Sequence, residues 1–258
     1  MGNMEALYNT WKAIGTSGGD LSFFQNFFVK FYQAFIEADR WLQYLNGVKT
    51  TLLVTALALI LGVALGVTVA ILRTAHDQQR PGHRNPVLAV LNLVCKIYVT
   101  VIRGTPMMVQ LLIMGFVIFA SSRNFTMIGT LTLGINSGAY VSEIVRGGLM
   151  SVDKGQMEAG RSLGLSKVQT MWSVIFPQAL KNCLPTYTSE FIVLVKETAV
   201  VGYIALTDLT KVYSAIQSKT YDAFGPLFII AVAYFCITKV LSIVFSKMER
   251  RLRESDRR

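Results

Sequence analysis

Apolar composition, scarce charge and long hydrophobic runs predict an all-α membrane protein with five transmembrane helices. Of 258 residues, 52% are hydrophobic and only 16% are charged, and the mean hydropathy is +0.46. Soluble domains carry nearer a quarter charged residues. The formal net charge is +10. In a soluble chain that would point to nucleic acid. Here the basic residues gather beside apolar spans, a pattern that orients a membrane protein, so no nucleic-acid partner is expected.

The elements follow in chain order. Residues 1–20 lack the basic start and apolar core of a cleavable signal peptide. From 21 to 46, Leu21, Phe23, Phe24, Phe27, Phe28, Phe31, Phe35 and Trp41 fall near helical spacing, interrupted by Lys30, Glu37, Asp39 and Arg40. That pattern predicts an interfacial amphipathic helix. A span needs roughly 20 apolar residues. Val48 to Leu72 supplies the first. Pro86 to Ala120 exceeds one crossing and is interrupted by Arg103-Gly104-Thr105-Pro106. The reading is an interfacial or tilted piece over 87–102 and a second span over 106–121, with one kinked helix as the alternative. The third span runs from Met127 to Met150. The fourth, Ser173 to Leu206, is broken by Pro177 and Pro185, and the fifth runs from Phe224 to Phe245.

Basic residues set the expected orientation. Arg73, Arg80 and Arg84 follow the first span. Arg146, Lys154, Arg161 and Lys167 surround the loop after the third, and Lys247, Arg250, Arg251, Arg253, Arg257 and Arg258 close the chain. The positive-inside rule places all three groups in the cytoplasm. The N-terminus is then outside and the C-terminus inside, with the last residues at the anionic inner leaflet. The expected divisions are an extracytoplasmic segment 1–46, a transmembrane domain 47–246 with a loop at about 151–172, and a basic tail 247–258. Cys95, Cys183 and Cys236 lie in or near apolar segments without C-x-x-C spacing, and read as packed thiols. His76 and His83 read as solvated loop residues without metal partners.

The loop is the most informative stretch. It runs Gln156-Met157-Glu158-Ala159-Gly160-Arg161-Ser162-Leu163-Gly164-Leu165 and on to Val174-Ile175-Phe176-Pro177. It reads as a short helix carrying Glu158 and Arg161, a glycine stop, and a second helix re-entering the membrane. It resembles the cytoplasmic loop of bacterial ABC importer permeases, Glu-Ala-Ala, three residues, Gly, nine residues, Ile-x-Leu-Pro. Gly160, Val174 and Phe176 are conservative departures, and the spacing is kept. Further stretches are similar to the polar amino-acid branch of that family: Gly47–Leu52, Arg103–Gln110, Ala139–Gly148, Ser189–Ile192 and Leu194–Thr198. The likeness covers roughly residues 45–255.

The resemblance implies a type I ABC importer permease fold with five spans and a cytoplasmic coupling helix. The implied partners are an ABC ATPase dimer, a second identical or different permease subunit, an extracytoplasmic solute-binding protein and an amino-acid substrate, in a bacterial cytoplasmic membrane. It implies ATPase-coupling roles for Glu158, Ala159, Gly160, Arg161 and Gly164, small residues at 159 and 160 allowing close approach of the partner. No cofactor is expected on this chain. ATP and Mg would bind the partner ATPase, since no G-x-x-x-x-G-K-[ST] loop occurs here.

Inside the spans, Glu190 and Glu197 stand about two helical turns apart, on one face roughly 10.5 Å long. Ionisable groups there face a cavity or a partner. They are the candidate substrate contacts, binding an ammonium or cationic side chain, or else they pair with Lys49, Lys196 or Arg103. Thr198 and Ser189 could add hydroxyl contacts or bond their own backbone. Thr50 lies beside the family's pathway or serves as a helix N-cap of the first span. Arg103 either snorkels or pairs with Glu143 or Glu190, and Glu143 can pair with Arg146. A channel would not need the Glu158 loop. An intramembrane enzyme would need a nucleophile–base or metal pair in the spans, and no H-E-x-x-H occurs.

Overall fold

The computed structural model of the chain describes residues 2–79 and 85–254, and these are almost entirely helical. Arg80, His83 and Arg84, and Arg257 and Arg258, lie outside the described residues.

Two helices precede the first long one. α1 (Gly2–Thr16) folds back on α2 (Phe23–Phe31). Ser22 caps α2 through a reciprocal box with Gln25. Tyr8 stacks on Tyr32 at 4.3 Å, and Trp11 meets Phe28 edge-on at 5.3 Å. A π-turn, Tyr32–Ile36, leads into a kink where Ala38 and Asp39 are left-handed, with φ 55° and 51°. That region is costly for residues bearing a Cβ. Glu37 fastens the kink: its carboxylate accepts from Tyr8 Oη (2.7 Å), Lys12 Nζ (3.0 Å) and Arg40 Nη1 (2.9 Å).

α3 then runs from Arg40 to Asp77. Thr50 is therefore interior to a helix, not its N-cap, and its hydroxyl donates to the carbonyl of Asn46 at 3.1 Å. α3 packs in parallel on α6 (Phe125–Met150). Leu61 meets Gly134, Gly66 meets Val141, Arg73 pairs with Glu143, and Asp77 reaches Arg146 at 4.0 Å. Glycine is what brings the two axes together. A Cβ at Gly66 would lie 2.6 Å from Val141 and 2.9 Å from the carbonyl of Gly138. Small residues of this kind drive helix association in lipid, where burial offers no hydrophobic gain.

The stretch from 86 to 118 is one pass in two pieces. α4 (Pro86–Gly104) starts beside the far end of α3, where Asn92 Nδ2 lies 3.1 Å from His76 Nδ1. It climbs until Tyr98 Oη donates to the carbonyl of Ile135 at 2.6 Å. Thr105 and Pro106 are extended. Gln110 bridges the break, donating to the carbonyl of Ile102 (2.7 Å) and accepting from Asn136 (2.9 Å). α5 (Met107–Ile113) and a π-turn to Ile118 continue past Val54, Ala58 and Ile128. Twelve residues of helix measure about 18 Å, too short for a core of about 30 Å. The separate span expected over 106–121 is thus the second half of the pass that α4 begins, as in the kinked alternative.

α7 (Lys154–Ser162) and α8 (Lys167–Thr170) form the loop at one end of the bundle, hereafter the loop end. A π-turn, Met171–Ile175, joins α8 to α9 (Phe176–Glu197), which runs antiparallel to α6. Pro177 sits in its first turn, where no N–H is required. Pro185 lies inside a continuous helix, so it does not break the span. Thr188 and Ser189 hydroxyls donate to the Pro185 carbonyl (2.9 and 3.0 Å). A 3-10 stretch, Thr198–Ile204, ends the pass. α10 (Leu209–Thr220) is capped by the buried Asp208, and α11 (Phe224–Glu254) returns toward the loop end, tied to α9 by Thr188 Oγ1 donating to Glu249 at 2.6 Å.

Five helical passes therefore cross the bundle among the described residues: α3, α4 with α5, α6, α9 and α11. By length and hydropathy alone, only Phe23–Asp77, Pro86–Gly104 and Phe224–Arg251 qualify as spans. α6 and α9 fall short because they are the interior pair. α6 carries buried Thr132, Asn136, Ser137 and Ser142, and α9 carries Asn182, Glu190 and Glu197. α4 and α11 instead turn Val87, Val94, Phe235 and Val240 outward, each more than half exposed, as lipid contact requires. Cys95 and Cys183 are buried and Cys236 is exposed on α11.

Candidate functional site

The loop is built rigidly from its own residues. Asp153 caps α7, its carboxylate accepting from the Gly155 N–H at 2.7 Å. At the other end Gly164 takes φ +85°. The Leu165 N–H then bonds the carbonyl of Gly160 at 3.1 Å, and the Gly164 N–H that of Arg161 at 3.1 Å. This is the left-handed helix stop that glycine permits. Arg161 Nη1 donates to the Leu165 carbonyl at 2.7 Å and braces the turn. Ser166 and Gln169 form a reciprocal capping box that starts α8.

Gly160 is buried against Thr170, where a Cβ would lie 2.4 Å from Thr170 Cγ2. Its smallness therefore serves packing within the loop, and the close approach expected for a partner is made by this chain's own Thr170. Glu158, Ala159, Arg161 and Gly164 are exposed on the outer surface. Beside them stand apolar side chains not singled out from sequence: Leu163 (83% exposed), Val168 and Trp172. Leu163 lies inside the quoted motif, and an apolar residue between arginine and glycine was a readable sign of a covered surface. Glu158 forms no side-chain hydrogen bond or ion pair among the described residues.

A charged cluster joins the loop end to the spans. Glu143 is held by Arg73 and by Arg146 Nη2 (3.6 Å), and Arg146 continues to Asp77. The expected Glu143–Arg146 pairing is present, and Arg73 was not foreseen in it. His76 is not a solvated loop residue: its side chain is largely enclosed, between Asn92 and Asp77. Between this cluster and α7–α8 lies a cavity of about 620 Å³, walled by Leu149, Met157 and Met171 and rimmed by Arg146, Lys154 and Glu158.

The second site lies between the middle of α9 and the half of α6 nearer the loop end. An open cavity of about 580 Å³ is lined by Arg103, Tyr140, Glu143, Asn182, Ser189 and Glu190, among others. Of the expected substrate contacts, the structure brings Glu190 and Ser189 to it. Glu197 stands two turns further along α9 and is half-buried. Thr198 is fully buried, its hydroxyl donating to the Val195 carbonyl at 2.7 Å. Thr50 bonds its own helix, as above. Lys49, Lys196 and Arg103 form no ion pair with Glu190 or Glu197 among the described residues. Arg103 forms no ion pair with a carboxylate among the described residues; its guanidinium lies 5.2 Å from the Tyr140 ring centroid. Asn182, Thr186, Ser189 and Glu190 fall on one helical stripe of α9, a polar periodicity visible in the sequence.

Comparison with known proteins gives the arrangement a family. Residues 87–254 match the family described as the binding-protein-dependent transport system inner membrane component. The putative glutamine transport system permease protein GlnP of Rickettsia typhi is 32% identical over 229 residues, covering 88% of this chain and 97% of that protein. The glutamine transport system permease protein GlnP of Escherichia coli K12 is 33% identical over 216 residues, covering 81% and 92%. A crystal structure of an amino acid ABC transporter with histidines superposes with TM-score 0.72 at 41% identity, over 81% of this chain and 94% of that one. The MetNI methionine ABC transporter, in inward-facing conformations, shares the fold at 19% identity and TM-score 0.70. This chain belongs to the binding-protein-dependent transport system inner membrane component family, and it is a multi-pass membrane permease subunit, not an enzyme.

Proposed function

We propose that this chain, paired with a second permease subunit, forms the membrane pathway of an ATP-driven importer of polar amino acids. Its standing as the permease component of an amino-acid ABC importer follows from the relatives' length-wide similarity. The family implies a binding protein and an ATPase as partners. In the proposed assembly the solute-binding protein delivers substrate at the end opposite the loop. An ATPase dimer, carrying the ATP and Mg, docks on the loop end. The observation that carries this reading is the loop. Its outer surface presents Glu158, Ala159, Arg161 and Leu163 on a frame that its own packing holds fixed.

The loop end is proposed to be cytoplasmic. Arg73, Lys154, Arg161, Lys167, Lys247, Arg250 and Arg251 all lie at or run toward that end, as the positive-inside rule requires. The N-terminus is then outside and the C-terminus inside. The hairpin α1–α2 would lie in the outer interface, a placement supported by Phe23 and Phe24, each 79% exposed. Residues 1–46, 47–246 and 247–258 serve as interfacial segment, permease domain and basic tail.

Closure of the ATPase dimer would push the loops, and the spans would tilt as rigid bodies to give alternating access. Glu190 is the primary substrate contact, with Ser189 beside it. Glu197, Thr198 and Thr50 are left as contacts that only a tilted state could present. Two substitutions test the two sites. Glu158→Arg should abolish uptake and loosen the ATPase during co-purification; normal uptake with normal co-purification would remove the docking role. Glu190→Gln with Glu197→Gln should slow uptake in proteoliposomes while assembly is kept. Wild-type kinetics would take both carboxylates off the path.

A further inference from the structure

Arg103 stands at the break between α4 and α5, at the depth of Tyr140, the middle of α6. A guanidinium at that depth is expensive unless it faces water or a counter-charge. Among the described residues no carboxylate forms an ion pair with it. Glu143 lines the same cavity, but it is taken by Arg73 and Arg146. Glu190 lines the cavity too, from α9, and forms no ion pair either. Among the described residues, Arg103 and Glu190 thus line a shared opening without an ion pair between them, and Asn182 and Ser189 line it too. Tyr140 supports the guanidinium by its ring face, and among the described residues the guanidinium forms no hydrogen bond.

Opposite charges left apart are complementary to a solute that is itself dipolar. Guanidinium matches a carboxylate with two parallel N–H···O bonds, and a carboxylate matches an ammonium. We propose that Arg103 is the carboxylate-binding residue of the pathway and that Glu190 takes the ammonium, so the cavity selects the zwitterionic head of an α-amino acid. The side chain is then left to the rest of the opening, whose volume lies within the range of small-molecule sites. The proposal rests on the amino-acid importer reading and assigns its substrate class to two residues.

The test uses the permease–ATPase complex in nanodiscs, with the binding protein omitted so that it cannot impose its own selection. L-Glutamine and L-histidine are the probes, each compared with its α-carboxamide and its N-acetyl derivative by equilibrium competition. In the wild type the free amino acid should bind at least about tenfold more tightly than either blocked form, as loss of a charge-assisted contact predicts. Arg103→Gln should abolish discrimination against the carboxamide and keep that against the N-acetyl form. Glu190→Gln should do the reverse, and Arg103→Lys should restore part of the carboxylate preference. A residue that only shapes the helix break would change both preferences together or neither. If Arg103→Gln fails to assemble, the wild type still decides: a carboxamide that binds as well as the free acid overturns the proposal. A wild type that binds neither probe in nanodiscs and, in proteoliposomes with its binding protein, takes up no amino acid overturns the importer reading instead.

Discussion

Gly160→Ala should weaken the α7–α8 loop, although the family motif carries alanine at this position. A Cβ there would lie 2.4 Å from Thr170 Cγ2 and 3.3 Å from Thr170 Cβ. Thr170 is fully buried, and its hydroxyl is tied to the Ser166 carbonyl at 3.0 Å, so it cannot rotate aside freely. Overpacking of this kind costs about 1–3 kcal/mol. Alanine returns about 1 kcal/mol of helix propensity over glycine. A contact this short belongs near the upper end of the range, which leaves a net loss of about 1–2 kcal/mol. The readout is hydrogen exchange at the amides of Leu163, Gly164 and Leu165, which close the turn onto Ala159, Arg161 and Gly160. Exchange there should quicken by roughly 5- to 30-fold. Adding Thr170→Ser removes Cγ2, keeps the hydroxyl and should restore slow exchange. Unchanged exchange in Gly160→Ala, or a double variant as fast as the single, would refute the packing account.

Glu143→Ala should destabilise the purified complex by about 2–3 kcal/mol, below the full cost of breaking a buried pair because Glu143 is partly exposed. A thermal midpoint equal to wild type would show that the charge cluster is not holding α3 to α6. Gly66→Ala should cost about 1–3 kcal/mol by forcing α3 from Val141 and the Gly138 carbonyl, read as a lowered midpoint and reduced uptake; wild-type values for both would count against the close packing. Asp208 lies outside the passes, and burial raises its carboxyl above the ordinary aspartate range, opposed by backbone N–H bonds from Lys211 and Thr210. The native state then holds that proton more tightly than the unfolded chain. Stability should fall as pH rises from about 3.9 through the raised native value. Asp208→Asn keeps a good N-cap and should flatten that slope in pH-dependent melting; an unchanged slope would exclude the residue as its source.

What could be read from the sequence divides along physical lines. Apolar runs of sufficient length revealed the passes, because lipid imposes that length locally. The loop was legible because a helix cap, a glycine stop and a re-entering helix are all short-range features. Thr50 was misplaced because α3 begins at Arg40 after a left-handed kink at Ala38 and Asp39, two residues that give no warning of it. Glu37 holds that kink through Tyr8 and Lys12, far apart in sequence. That the two pieces over 86–118 make one pass was read only as the alternative, for a related reason. Arg103-Gly104-Thr105-Pro106 marks a break, but its depth is set by Gln110 reaching Ile102 and Asn136. Only tertiary contacts could show that Arg103 lies in mid-bundle beside Tyr140 and not at an interface.

Of the two helices that join the two proposed sites, α9 is one and α6 is the other. The last residue of α6, Met150, is separated from α7 by three residues. Its middle forms one wall of the central cavity through Tyr140. Between these points it is fixed to α3 by Gly66 against Val141 and by the pairing of Glu143 with Arg73. Close-packed interfaces of this sort shift as units and do not deform continuously. A push on the loop is therefore delivered to α3 and α6 together, and one discontinuity beside that pair is the break at Thr105–Pro106. That break sits beside Arg103. Tilting of the α3–α6 pair against α4 and α9 would change the spacing of Arg103 and Glu190 before it disturbed any buried packing. Substrate grip and loop position would then be two readings of one rigid-body coordinate. A complex locked at the loop by a cross-link to the ATPase should accordingly bind amino acid with altered affinity. If affinity is the same in the locked and free complexes, the two sites are not joined through α6.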